Sequence, residues 1–397
     1  MTSSIMPTTP ASRQVWSAVG SMSMCVALLI ASEFMPVSLL TPIAADLHAT
    51  AGMAGQAISI SGLFAVLASL LIAGLTARLD RRHVLLGLTV TMLLSLLLIA
   101  AAPDFSVLMA ARALLGLTIG GFWALSTATI MRLVPASSVP KALGVLYTGN
   151  AVAVAFAAPI GSYVGGLIGW RGVFWALVPL ALVNLIWQWA SLPSMPPKAG
   201  TPKPNVFALL KRRHVAFAMA AVMLSFAGAF STFTYLRPFL EVRTGVNVSQ
   251  LSLLLLGLGL AGFVGTYGAS RLLGQHLYRL LAGLPLALAV ATLAFLAVGH
   301  LFWPAAIVLV GWGVLNAAIP VAWSTWLTQG VSDQPESGGG LMVAAIQLAI
   351  MAGAAFGGLL LDHVSLAAVW IGGAGLLLLA TLVVGGGQRL QLEPGRG

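Results

Sequence analysis

Charge is what this sequence has least of. Only seven per cent of its 397 residues are Asp, Glu, Lys or Arg, against about 25% in a soluble domain. A water-soluble globule of this length could not cover its surface with so few. Cysteine is nearly absent too: Cys25 stands alone, which excludes an intramolecular disulfide and any thiolate metal cluster. There is no His-Glu-x-x-His spacing, no intramembrane Ser-His pair, no paired carboxylates and no phosphate-cradling Gly-rich loop. Zinc chemistry, nucleophilic catalysis and direct use of ATP therefore lack their residues, and the chain is read as a non-enzyme. The six histidines all fall at the ends of apolar runs or between them.

What is present is apolar length. Fifty-nine per cent of residues are hydrophobic, arranged in twelve runs: 15–40, 52–77, 83–102, 106–133, 140–168, 172–192, 214–238, 248–273, 278–300, 302–328, 339–361 and 365–386. Each suffices for a membrane helix, which needs about 20 apolar residues. The first run exceeds a signal-peptide core of about 7–15 residues and is read as a retained span. The expected fold is all-α, a polytopic membrane protein with twelve transmembrane helices in two pseudo-symmetric six-helix bundles. The bundles are expected over 1–192 and 214–397, joined by a cytoplasmic linker at 193–213 that holds five prolines, five basic residues and no acid.

Net charge of +10 does not point to nucleic acid, because the basic residues lie in short clusters between spans. With the N-terminus inside, fifteen Lys and Arg fall on the inner side, three on the outer, and Arg112 in the membrane. That asymmetry predicts cytoplasmic termini and a cytoplasmic Arg81-Arg82 loop. The halves also echo each other. Thr41-Pro42 aligns with Arg237-Pro238, and Pro159-Ile160-Gly161 with Ala355-Phe356-Gly357, both at an offset of 196. Trp123 and Trp323, and Pro135 and Pro335, align at an offset of 200. Duplicated bundles of this kind hold a solute site near the midplane.

One carboxylate of nine, Glu33, lies inside a span. A charge at that depth costs several kcal/mol unless it is paired, wetted or protonated, which makes it a functional candidate. Arg112 is the one basic residue well inside an apolar run. At 1.5 Å per residue Glu33 lies about 7 Å and Arg112 about 12 Å outside the midplane, within reach of an arginine side chain. Both a proton-coupling pair and a structural ion pair fit this spacing. Arg112, Gly116, Gly120 and Trp123 share one helical face, as do Trp312, Asn316, Pro320 and Trp323. Trp123, Asn150, Asn316, Trp323 and Gln347 are the candidate solute contacts, through stacking and amide hydrogen bonds. Asn184 and Gln56 are further polar groups within spans. Pro159 and Gly161, among the small residues of the fifth run, suit a helix that bends or slides.

Arg112-x-x-x-Gly116-x-x-x-Gly120, with the proline-glycine stretch at Pro159 and Gly169-Trp170-Arg171-Gly172, resembles the twelve-span drug:proton antiporters of the major facilitator superfamily. The likeness covers essentially the whole chain. It departs from the family pattern at Ala158, where the motif has Gly, and at Asp80-Arg81-Arg82, which falls two residues later than the family's gating loop motif. The runs Glu33 to Pro42, Gly120 to Ala124, Met131 to Pro135 and Trp323 to Trp326 are similar to the purine ribonucleoside efflux branch. The resemblance implies efflux of inosine- and guanosine-type nucleosides across a bacterial inner membrane, driven by proton exchange. Sugar or multidrug efflux is the alternative it leaves, and a passive facilitator is a third reading. The partners implied are a small-molecule solute and the bilayer, with the proton as coupling ion, no other cofactor, and a monomeric chain.

Overall fold

The computed structural model describes residues 13–135, 138–197, 206–385 and 390, so part of the expected linker, 198–205, lies outside the described residues. The helices are α1 (Arg13–Ser38), α2 (Leu40–Asp46), α3 (Ala51–Leu75), α4 (Arg81–Ala100), α5 (Phe105–Leu133), α6 (Val139–Ser191), α7 (Arg213–Phe233), α8 (Leu236–Phe239), α9 (Val248–Val298), α10 (Phe302–Gly330), α11 (Pro335–His363) and α12 (Leu366–Val384). Among the described residues there is no strand. Eleven stretches of the described residues are long and apolar enough to cross a membrane. One of them, Lys141–Ser191, has 51 residues, far more than a bilayer needs. It breaks at Gly169, whose φ of 75° is left-handed and favours glycine. Counting its two arms separately gives the twelve spans. α9 is divided in the same way at His276.

Polar residues between spans start the helices. Thr50, Asp104 and Ser365 accept hydrogen bonds from the Met53, Val107 and Ala368 amides, and Asn247 and Gln250 form a reciprocal cap. Two apolar cores result. One draws on residues from Ala18 to Met195. The other runs from Leu209 to Leu390 and takes in Val37, Leu40, Ala44, Ala54, Ile58 and Ala158 from the first half.

At one end of the molecule, here the basic end, Asp80 caps α4 through the Arg82 amide and also accepts from Ser194 and the Met195 amide. Burial pushes its carboxyl up, but the bonds from Ser194, Met195 and Arg82 outweigh it and hold it below the usual range. Arg82 donates to the Trp189 carbonyl. Asp80 and Arg82 thus tie the chain leaving the sixth span to their own half, with no bond to the other half among the described residues. The far end of the linker is tied in the same manner, by a two-pronged Arg212–Asp333 ion pair at 2.7–2.8 Å. The Arg212 bond holds the Asp333 carboxyl down to about 2, so the tie stays ionised across the physiological range.

The halves meet along α3 against α11 and the first arm of α6 against α9. Gly259 lets the two backbones approach closely, since a methyl there would lie 2.2 Å from the Ala155 carbonyl oxygen. Five hydrogen bonds join described residues of the two halves, through Glu33, Ser38, Thr41, Thr50 and Gly52. Glu33 apart, these residues lie at or beyond the end of α1, or in the first turn of α3 and its cap. Among the described residues the two halves are therefore bonded at mid-span and at the end opposite the basic loops, and not at the basic end.

Single cysteines test which end faces inward. Replacements at Lys198, which lies outside the described residues, and at His48 are expected to react with an impermeant thiol reagent from opposite sides of the membrane. Reaction of both from one side contradicts the proposed topology.

Candidate functional site

The first span sets the site because proline interrupts it twice. Pro36 lies within α1, and a proline removes the amide that would bond the carbonyl four residues back. That carbonyl belongs to Ser32, and Arg112 supplies the missing donor, its Nη1 lying 2.8 Å from the Ser32 oxygen. The same guanidinium reaches the Ala57 carbonyl at 2.9 Å, the Ser61 hydroxyl at 2.9 Å and the Glu33 carbonyl at 3.4 Å. Arg112 is fully buried, so each of these bonds lies out of water, where an unmade one is costly.

Glu33 and Arg112 are thus brought together, but not as an ion pair. The guanidinium bonds the Glu33 backbone rather than its carboxylate. The carboxylate, 3% exposed, accepts instead from Gln347 Nε2 at 3.4 Å, on α11 of the opposite half. One residue therefore connects the clamp within the first half to the second half.

Gly116 and Gly120 serve helix packing rather than a ligand. A methyl at either position would lie 2.2 Å or less from the Ser61 or Ala65 carbonyl oxygen of α3. Gly161 faces α1 less tightly, since a methyl there would lie 2.9 Å from the Ser38 hydroxyl and 3.2 Å from Met35, while Pro159 lies within α6.

The tryptophans divide. Trp123 is half-buried and stacks on Tyr147 of α6, with ring centres 5.6 Å apart. Half-buried Asn150 is one turn further along α6. Trp323, expected as its counterpart, is 1% exposed and packs edge-on against Trp326 in the second half's core. It lies in the packed interior of the second half, although Asn316 and Pro320, expected on the same face of α10, are half-buried and exposed. Asn184 is likewise sealed inside the first half, whereas Gln56 lies beside Gly358 where the halves meet.

Three phenylalanines that the sequence did not single out, Phe34, Phe230 and Phe233, gather beside Trp312. Phe34, next to Glu33, stacks on Phe230 at 5.8 Å and meets Phe233 edge-on at 6.1 Å. Phe233 lies parallel to Trp312 at 6.2 Å, and Trp312 donates to Thr292. Phe34 packs against both apolar cores yet stays half-exposed, as does Phe233. A small void lies behind Phe233 and Trp312, bordered by Leu236, Phe295, Leu309 and Trp370. Half-buried Asn316 is one turn from Trp312, and exposed Pro320, Ser324 and Thr328 continue its row in steps of four.

Two six-span bundles, meeting around a mid-span carboxylate bonded across the interface, define a secondary membrane transporter. Comparison with known proteins agrees. The Major Facilitator Superfamily model matches residues 22–338, and the chain belongs to that superfamily. It is 49% identical over 374 residues to the transcription regulatory protein OpdE of Pseudomonas aeruginosa, covering 93% of this chain and 92% of that one. It is 43% identical over 378 residues to the purine ribonucleoside efflux pump NepI of Salmonella paratyphi B, covering 95% of each. Its fold matches a crystal structure of the nucleoside transporter NupG with a TM-score of 0.76 at 13% identity, covering 93% of this chain and 98% of that one. A bacterial homologue of the lysosomal transporter Spinster, inward-facing and unoccupied, matches with a TM-score of 0.74 at 15% identity, covering 97% of this chain and 100% of that one.

Proposed function

We propose that this transporter exports purine ribonucleosides of the inosine and guanosine type across a bacterial inner membrane in exchange for protons, with both termini cytoplasmic. The observation that carries the reading is the Glu33 carboxylate, buried in the first half and bonded to Gln347 of the second. A titratable group at that junction can exchange its proton when the halves move, and the Gln347 amide is then free for a solute. The 43% identity to a purine ribonucleoside efflux pump supports the substrate class. So does the chemistry of the interface. A purine ring stacks on aromatic faces, supplied by Phe34, Phe233 and Trp312 on one side and Trp123 with Tyr147 on the other. A ribose needs amide partners, which Asn150, Asn316 and Gln347 offer. The polar row from Asn316 to Thr328 suits the wall of an aqueous passage, since polar groups in spans avoid lipid.

Base stacking is worth about 1–3 kcal/mol in single-strand nucleic-acid sites. On that scale Trp312→Ala is expected to weaken inosine binding to the purified protein about tenfold, a loss of about 1.4 kcal/mol. Trp323→Phe, a change in core filling, is expected to leave binding unchanged. Parent-like inosine binding in both Trp312→Ala and Trp123→Ala removes the stacking site. Binding of sugars or cationic drugs in preference to nucleosides moves the chain to the sugar or multidrug efflux reading.

A further inference from the structure

The first span has a second proline-made gap, and a different arginine fills it. Pro42 removes the amide that would bond the Ser38 carbonyl, and the helix breaks at Leu39 between α1 and α2. The Ser38 oxygen accepts instead from Arg237 Nη1 of the opposite half. Arg237 is 7% exposed. Its Nε holds Glu241 at 2.7 Å, and the other Glu241 oxygen accepts from the Thr41 hydroxyl at 2.5 Å. Two side chains of the second half therefore grip both sides of one break in the first. A separate contact lies further along the same end, where Asp362 accepts from the Thr50 hydroxyl at 2.5 Å and the Gly52 amide at 3.0 Å.

The two arginines differ in one respect that decides their roles. Arg112 fills the Pro36 gap from within its own half, so its bonds survive a movement of one half against the other. Arg237 fills the Pro42 gap across the interface, so its bonds cannot survive opening of that end. We propose that Arg237 and Glu241 form a releasable latch on the end opposite the basic loops, with Asp362 as its second point of attachment. The latch rests on the alternating-access reading of the protein, but it specifies which contacts must break. Release carries a limited penalty, because opening brings water to the Ser38 carbonyl and to Thr41, and only the modest net difference between the protein bonds and the water bonds is lost. The latch also accounts for the pairing of Thr41-Pro42 with Arg237-Pro238 in the two halves: the duplicated sites face one another, and the arginine of one closes the gap made by the proline of the other.

The test reads conformation and requires no substrate. Cys25 is replaced by Ser, and Ala54, 1% exposed and packed in the core dominated by the second half, is replaced by Cys as a reporter. The protein is held in lipid nanodiscs and treated with a membrane-impermeant maleimide. Glu241→Gln and the milder Thr41→Val are each expected to raise the labelling rate at least about fivefold by shifting the population toward the open end. Adding Thr50→Val is expected to raise it further. The thermal midpoint of Thr41→Val, which removes a single hydroxyl and leaves the Arg237–Glu241 pair in place, is expected to stay at the parent value. Parent-like labelling in Glu241→Gln, and again in Glu241→Gln combined with Thr50→Val, overturns the latch. So does a rise seen only where the thermal midpoint falls in step. Failure of nucleoside transport with intact labelling changes instead overturns the substrate reading and leaves the latch standing.

Discussion

Glu33→Gln is expected to abolish gradient-driven export while solute binding persists. Glutamine keeps the shape of the protonated acid and can still meet the Gln347 amide, so the contact between the halves is retained. What it loses is the exchange of a proton. A carboxylate at this depth is expensive when bare, and the Arg112 guanidinium anchored to its own backbone offsets part of that cost. Proton affinity at such a site follows its surroundings, so movement of α11 away from α1 is the event that changes it. The driving force is adequate. About 100 mV supplies roughly 2.3 kcal/mol per proton, enough to sustain an outward gradient of about fifty-fold in a neutral solute. Counterflow, the exchange of labelled for unlabelled solute without a gradient, is expected to survive in Glu33→Gln. Concentrative, protonophore-sensitive transport by a folded Glu33→Gln protein contradicts the assignment.

Arg112→Ala is expected to eliminate coupled transport and to lower thermal stability, with Arg112→Lys less severe in both. Alanine leaves the Ser32 carbonyl buried without a donor, at a cost of about 1–3 kcal/mol, and leaves Glu33 without its neighbouring charge. Lysine keeps the charge but loses the fork that reaches four groups on two helices. The dependence on Pro36 makes the account specific. Pro36→Ala restores an amide four residues beyond Ser32, so Arg112→Ala is expected to cost about 1 kcal/mol less stability in that background. Thermal unfolding of the parent, the two single variants and the double variant measures the difference. Strict additivity means that Arg112 is not filling the proline gap.

The spans were legible because most of the few charges fall between apolar runs, and because every run has bilayer length. Which face of each span looks inward was not, since nearly every face is apolar. Trp323 illustrates this: it shares a helical face with Asn316 in sequence, yet the structure buries it against Trp326. Phe34, Phe230 and Phe233 carried no signal, because single phenylalanines in apolar runs read as lipid-facing or core residues until the two halves are placed together. Arg112 was visible as an isolated charge, but its partners were hidden because backbone carbonyls have no sequence signature. Proline supplies the missing rule. Each of Pro36 and Pro42 frees the carbonyl four residues before it, and each freed carbonyl is met by an arginine. Arg237 was counted among the loop charges because it stands at the end of an apolar run, where its burial at the interface cannot be read.

The account turns on coupled movement of a purine nucleoside and a proton, and one flux measurement addresses it directly. Purified protein is reconstituted into vesicles with a pH-sensitive dye trapped inside and a proton gradient imposed, and radiolabelled inosine is offered beside a panel of sugars and cationic drugs. The predicted result is inosine accumulation against its gradient, accompanied by proton exit, abolished by a protonophore and absent in Glu33→Gln. Inosine equilibration that ignores the proton gradient, or accumulation of another solute with inosine excluded, contradicts it.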